Sequence, residues 1–237
     1  MYTLHIGNKN YSSWSLRPWL LLKARGIPFT EVIHRFGDGF AGELAGVSPT
    51  GKVPCLIEGN TAVWDSLAIV EYIAERHLGT WPADTAARAW ARCVAAEMHS
   101  GFQTLRNLHS MNIGVRVAVD VRSPALLDDI ARIEALWNEG LARFGGPFLA
   151  GAEFTAVDAF FAPVAFRFQT YGVVPGGAAG AYLQRLLAHP ALKEWETAAL
   201  QENFRDAGHE ADLAAAGTLT ADLRTAETRS PVGKSEK

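Results

Sequence analysis

Three short segments near the N-terminus gather hydroxyls, a lysine and a carboxylate where a fold leaves polar backbone groups open: Tyr11-Ser12-Ser13-Trp14-Ser15-Leu16-Arg17, Gly51-Lys52-Val53-Pro54 and Asp65-Ser66. In the first, serines precede a helical pattern, and a helix N-terminus with unpaired N–H groups and a positive dipole end favours an anion. A thiolate is one such anion. A thiol of pKa ~8.5 is mostly protonated at neutral pH, and a helix N-terminus with a hydroxyl donor lowers that value toward or below about 7. The plainer reading of Ser12, Ser13 and Ser15 is N-capping alone. In the second segment, a proline directly after Val53 at the start of a strand requires an edge or an unusual turn, with a cis bond one solution. A cis bond leaves the Val53 N–H and C=O open to pair with an extended peptide, a recognition mode that needs no particular side chain. In the third, Asp65 and Ser66 cap a helix and can present N–H and hydroxyl groups to a ligand carboxylate, although capping alone explains the pair.

The elements that must position these residues follow from periodicity. Tyr2 to Ile6 alternates as a strand, and Ser15 to Arg25 reads as a helix with Pro18 in its first turn and Gly26 past its end. Pro28 to His34 is a second strand, and a loop around Gly37 to Val47 has room for a short helix. Val53 to Glu58 and Thr61 to Trp64 form two strands joined by Gly59-Asn60, a hairpin signal, and Asp65 opens a helix to about His77. The order is βαβ then ββα. From there the pattern becomes helical, which sets a boundary near residue 80. One long helix is expected from Asp84 to about Asn112, with Trp90, Val94, Met98, Phe102 and Leu105 on one face, and a second from Pro124 to Phe144. Thr155 to Asp158 is a capping box in acidic form, opening an almost wholly apolar helix over Ala156 to Tyr171 that should be buried. Leu183 to Leu187 and Pro190 to Leu200 suggest shorter helices, and beyond about Ala214 the composition reads as a mobile tail.

Composition narrows the function classes. Hydrophobic residues make up 49% of the 237-residue chain, enough for a real core, and 22 Lys+Arg against 25 Asp+Glu leave no basic excess to attract nucleic acid or anionic lipid. No apolar stretch approaches the ~20 residues of a membrane span, and no secretory signal is visible, so a cytoplasmic location is expected. Cys55 and Cys93 are too few and too far apart for a disulfide framework or a zinc knuckle, and are expected as reduced, buried thiols. The seven histidines form no ligand spacing, so no metal is expected.

In this order and spacing the three segments resemble the glutathione transferases, and the resemblance spans roughly residues 1–205, capping box included. It implies an α/β thioredoxin-like N-terminal domain over 1–80, an all-α domain over 84–213 that lines the electrophile pocket and supplies a homodimer interface, and a tail over 214–237. In that family the V-P-x-L and D/E-S elements hold the backbone and γ-glutamyl carboxylate of glutathione, which here are Val53-Pro54-Cys55-Leu56 and Asp65-Ser66, with Lys52 near the glycyl carboxylate. Within the family the serine-type zeta class, which includes maleylacetoacetate isomerases, is the most similar branch. Ser12-Ser13-Trp14-Ser15-Leu16-Arg17 resembles its S-S-C-x-x-R segment, and Ser100 to Leu108 resembles its S-G-I-Q-P-L-Q-N-L helix, with Trp14 in place of the cysteine and Arg106 in place of a glutamine.

The resemblance implies Ser12 and Ser13 as the catalytic pair, with Ser12 donating to the sulfur. It implies Trp14, Arg17, Lys52, Val53, Pro54, Asp65, Ser66 and Gln103 as the glutathione-binding set. Glutathione is then a co-substrate and the partner a small electrophile, without nucleic acid or membrane. Alternatives are a glutathione-dependent cis-trans isomerase, with Arg106 and Arg116 as cations for a diacid, and a non-catalytic glutathione-binding protein. Tyr11 is a second candidate donor to sulfur. A disulfide reductase ranks last, because no cysteine stands at the first helix.

Overall fold

The structure, a computed structural model, describes residues 1–120 and 123–226. Strand β1 (Tyr2–Gly7) is followed by helix α1 (Ser13–Ala24), β2 (Phe29–His34), a single turn α2 (Phe40–Glu43), the hairpin β3 (Cys55–Glu58) and β4 (Thr61–Val63), and α3 (Ser66–Ala74). The sheet runs β2-β1-β3-β4, with β1 parallel to β2 and antiparallel to β3. This is the thioredoxin-like arrangement, in which helices cover a mixed sheet. Helix α1 starts at Ser13 rather than Ser15, because Ser12 takes the N-cap and its Oγ accepts from the Ser15 N–H at 3.4 Å. Pro18 therefore sits in the second turn, where its missing N–H leaves the Trp14 carbonyl without its usual partner.

The second region is helical: α4 (Thr85–Ser100), α5 (Gln103–Leu108), α6 (Pro124–Phe144), α7 (Ala156–Thr170), α8 (Gly177–Leu187), α9 (Pro190–Gln201) and α10 (Ala207–Ala216). The single helix expected over Asp84 to Asn112 is two. Gly101 is extended and Phe102 adopts a left-handed conformation at φ 59°, so the α-helical path stops there. Arg106 stabilises the break by donating to the carbonyls of Met98, His99 and Gly101, satisfying acceptors that the end of α4 leaves open. Helix α7 is buried nearly all round, as its sequence implies, and packs on both α1 and α4. Its capping box forms, with the Asp158 carboxylate also accepting from Leu149 N–H at 3.1 Å and Tyr182 O–H at 3.0 Å. Burial outweighs those donors and pushes the Asp158 carboxyl up to about 6.

The segment from Ala214, expected as a tail, is ordered through residue 226. It ends α10 and continues as β6 (Gly217–Asp222), which pairs antiparallel with β5 (Val115–Val119) in a second, two-stranded sheet. The rest of that expectation, residues 227–237, lies outside the described residues. Cys55 is buried in β3, where desolvation raises its thiol pKa, whereas Cys93 lies on the outward face of α4 and is exposed, contrary to the expectation of burial. No described helix is long and apolar enough to cross a membrane.

Candidate active site

The three N-terminal segments converge on two adjoining cavities. The larger, about 440 Å³, is lined by Trp14, Thr50, Lys52, Val53, Pro54, Trp64 and Asp65. The smaller, about 320 Å³, is lined on one side by Tyr11, Ser12, Ser13, Trp14, Phe36, Phe40, Lys52 and Val53. Its far side comes from the helical region, through Arg106, Ser110, Met111, Arg167, His209 and Asp212. Trp14, Lys52 and Val53 are common to both, so the cavities meet there.

The polar groups of the three segments differ in what the structure leaves open, and Ser66, fully buried, lines neither cavity. The Val53–Pro54 bond is cis, and the Val53 N–H and C=O pair with nothing among the described residues, which leaves an open backbone edge on the larger cavity. Asp65 caps α3 by accepting from the Leu67 N–H at 3.1 Å, and its other oxygen lies 3.4 Å from His99 Nε2. The Ser66 hydroxyl beside it is buried without a hydrogen-bond partner. A buried hydroxyl left open at a helix N-terminus is a donor awaiting an acceptor.

At the first helix the hydroxyls divide their roles. Ser12 Oγ donates to Ser15 Oγ at 2.7 Å, and Ser15 Oγ also accepts from the Gly7 N–H at 3.1 Å. The Ser13 hydroxyl has no hydrogen bond among the described residues and lines the smaller cavity. Helix α1 carries no acid in its first turn, so its positive end is not neutralised locally. Tyr11 is differently placed from the serines. Its hydroxyl donates to Glu210 at 2.8 Å, and burial together with that carboxylate pushes its pKa up to about 12, which fixes the proton on a partner other than a ligand.

Behind the hydroxyls lies positive charge. Arg17 is fully buried, none of its three guanidinium nitrogens has a hydrogen-bond partner, and it lies over the rings of Trp14 at 4.3 Å and Phe160 at 4.9 Å. Burial and the neighbouring Arg106 and Arg167 hold its pKa well below the usual value, with Asp65 acting in the opposite sense. Arg106 lies against the same indole at 4.8 Å. Arg167, the lone cation of α7, donates from Nε to the His109 carbonyl at 2.7 Å, and burial brings its pKa down to about 9, still protonated at neutral pH.

Arg167 lies outside every motif of the sequence and still lines the smaller cavity. An arginine inside an otherwise apolar, buried helix was the signal, since such a cation is costly unless it serves something. Arg116, paired with Arg106 as a candidate for diacid binding, does not line the cavity; its guanidinium donates to the Ile113 and Val115 carbonyls at 3.1 and 2.7 Å. Gln103 is exposed, bonded to Asn107 at 2.7 Å, and lines neither cavity.

A family model for the glutathione S-transferase N-terminal domain matches residues 11–76, and one for the C-terminal domain matches residues 120–198. The chain is 31% identical over 157 residues to a zeta class glutathione S-transferase of Euphorbia esula, an alignment covering 64% of this chain and 70% of that protein. The chain belongs to the glutathione S-transferase family. It is also 30% identical over 103 residues to a probable maleylacetoacetate isomerase of Caenorhabditis elegans, covering 43% of this chain and 48% of that one. Among solved structures, a Burkholderia glutathione transferase homologue with bound glutathione superposes with a TM-score of 0.62 at 20% identity, over 84% of this chain and 97% of that one. A theta class transferase of Xanthomonas axonopodis pv. citri with glutathione bound gives 0.60 at 23% identity, over 81% and 95%. These two likenesses concern the fold. In this member of the family, the helical region beyond residue 198 lies outside both matched stretches and still supplies one wall of the smaller cavity.

Proposed function

We propose that the protein is a glutathione transferase that holds glutathione in the larger cavity and activates its thiol as a thiolate for attack on an electrophile in the smaller one. The observation that carries this is the pairing, in adjoining cavities, of an unsatisfied peptide edge at Val53 with two serines at the positive end of α1. The residues fit glutathione. Val53 would pair with its backbone, Ser66 and the N-terminus of α3 would receive the γ-glutamyl carboxylate with Asp65 near its ammonium, and Lys52 would face the glycyl carboxylate.

The chemistry follows from the charge distribution. On ionisation the thiol releases its proton to solvent, and the sulfur anion is stabilised by hydroxyl donors, by the end of α1 and by the buried Arg17 cation. Ser13 offers a proton that nothing else holds, and Ser12 offers one by rotating away from Ser15, so the two serines form the donor pair. The sulfur electron pair then forms the new C–S bond. Either a leaving group departs with its bonding pair, or a conjugated double bond takes up the charge and is protonated.

Arg106 and Arg167 favour a second reading alongside this one. Two guanidinium groups in the wall of the smaller cavity suit a carboxylate-bearing substrate, as in a cis-trans isomerase in which sulfur adds to a conjugated double bond, rotation follows, and sulfur is expelled. Turnover of maleylacetoacetate distinguishes this from conjugation alone. We also read the protein as cytoplasmic and as a homodimer with α4 in its interface; light scattering of the purified protein checks the dimer.

Calorimetric titration of glutathione, with the ultraviolet absorbance of the thiolate followed against pH in the complex, tests the main reading. Binding with a thiol pKa below that of free glutathione supports it. Binding without the shift leaves a carrier, and no binding overturns the reading.

A further inference from the structure

The wall of the smaller cavity formed by α10 has little apolar anchorage. Leu213 is its one buried residue, in a small cluster with Val115, Val117 and Tyr171. A ten-residue helix with so little burial does not hold its place by itself. What fixes it is polar: Glu210 of α10 accepts from Tyr11 and Asn112 and pairs with Arg224. That side chain is 4% exposed; its Nη2 bonds Glu210 Oε2 at 3.1 Å and Asp222 Oδ2 at 2.7 Å, and its Nε bonds Asp222 Oδ1 at 2.8 Å. Its Nη1 also reaches Glu210 Oε1 and lies 3.4 Å from the Tyr11 hydroxyl.

Arg224 therefore ties the end of β6 to α10 and holds in place the Glu210 carboxylate, through which α10 accepts from Tyr11, the neighbour of Ser12. The same carboxylate accepts from Asn112 at 3.1 Å, and Asn112 in turn accepts from Asn10 at 2.8 Å, so the loop leading into Ser12 is gripped from the C-terminal side. Ring contacts of His209 with Tyr11, at 4.8 Å between centroids, and with Phe36, at 5.6 Å, complete the closure. Residue 114 is glycine where a Cβ would lie 2.1 Å from Arg224 Cγ, so the backbone there leaves room for the arginine stem.

We propose that Arg224 is a positioning residue that sets the shape of the electrophile cavity, holding α10 through Glu210 so that the cavity grips the substituent on the glutathione sulfur. The proposal rests on the glutathione reading above and concerns selectivity, not thiolate formation. It predicts that losing the tie leaves the peptide part of the ligand bound while the wall around the sulfur substituent gives way.

Glutathione, S-methylglutathione and S-hexylglutathione are titrated into the full chain and into Arg224→Ala, Arg224→Lys and Glu210→Gln, with circular dichroism of each. In the unaltered protein S-hexylglutathione binds more tightly than S-methylglutathione. In Arg224→Ala and Glu210→Gln that preference falls by about tenfold, the loss expected when roughly two methylenes leave contact, while glutathione affinity stays within about twofold. Arg224→Lys recovers only part of it, because an ammonium cannot make the forked pair with two carboxylates. An unchanged preference in a folded Arg224→Ala overturns the proposal and leaves the glutathione reading intact; an unaltered chain that binds none of the three overturns both. Should Arg224→Ala lose its native dichroism, Glu210→Gln decides by the same ratio.

Discussion

The two sides of the site are built from different materials. On the N-terminal side the groups offered to a ligand are mostly backbone edges and helix ends with the short hydroxyls beside them: Val53, the start of α1 with Ser13, and the start of α3 with Ser66. On the helical side they are long side chains, Arg106, Arg167 and His209, and two of them are placed by residues distant in sequence, Arg167 by the His109 carbonyl and His209 by the Tyr11 and Phe36 rings. Backbone geometry is common to many sequences and suits an invariant ligand such as a peptide. Side chains change one at a time, and suit the ligand that varies.

The largest test of this contrast is removal of the hydroxyls. Ser12→Ala or Ser13→Ala should lower kcat/KM with chlorodinitrobenzene by roughly 100-fold for whichever donates to sulfur, as for loss of a preorganised donor, with glutathione affinity little altered. Full activity in both single variants and in the double variant would remove the serines from the mechanism.

Next in size is the capping box that seats α7 between the two sides. The native state keeps the Asp158 proton up to about 6, whereas the unfolded chain releases it near 3.8. Between those values the native form binds more protons, so this group's contribution to stability declines as pH rises from about 4 to about 6. Urea melts of the protein and of Asp158→Asn across that window should diverge by on the order of 2 kcal/mol; parallel curves would show that Asp158 is ionised throughout.

Arg167→Met probes the side-chain half. It should reduce kcat/KM about tenfold for a dicarboxylate electrophile and leave chlorodinitrobenzene within about threefold, since a hydrogen bond to a charged group contributes about 1.5–3 kcal/mol. An equal loss for both substrates would mean that Arg167 shapes the helix and does not read charge.

The smallest effect should oppose stability to activity. Arg17→Met replaces a buried, unpaired cation with an apolar chain of similar length, so melting should rise by a few degrees, about 1 kcal/mol, while the pKa of bound glutathione thiol moves up. A melting temperature that falls would show that the contacts with Trp14 and Phe160 outweigh the cost of burial.

The same contrast explains how much was legible. Ser12 to Arg17, Val53-Pro54, Asp65-Ser66 and the Thr155–Asp158 box are short-range signals, each written in a few adjacent residues, and the elements around them are the ones periodicity implies with ends moved by up to three residues, as where α1 starts at Ser13, β3 at Cys55 and α3 stops at Ala74. The break at Gly101-Phe102 was not legible, because it depends on Arg106 reaching back to carbonyls of α4. Strand β5 had a local sign in the alternating Val115, Val117 and Val119, yet its partner β6 stands about a hundred positions away, where Leu219 and Ala221 alternate with Thr218 and Thr220 over too short a run to stand out from the Ala- and Thr-rich sequence around it. Arg116 was misplaced for the same reason: as part of an unrecognised strand, its direction could not be read.

Trp14 stands where the two cavities share a face, about one third exposed, with Arg17 and Arg106 packed against its ring. An indole clamped in that way cannot yield on one side without being felt on the other. With glutathione and electrophile in the two cavities as proposed, their affinities would not be independent quantities: whatever shift of the ring one ligand favoured would pass on as a gain or a penalty for the other, equal in both directions. A change at position 14 that widened the acceptor range would be registered first as altered hold on the tripeptide.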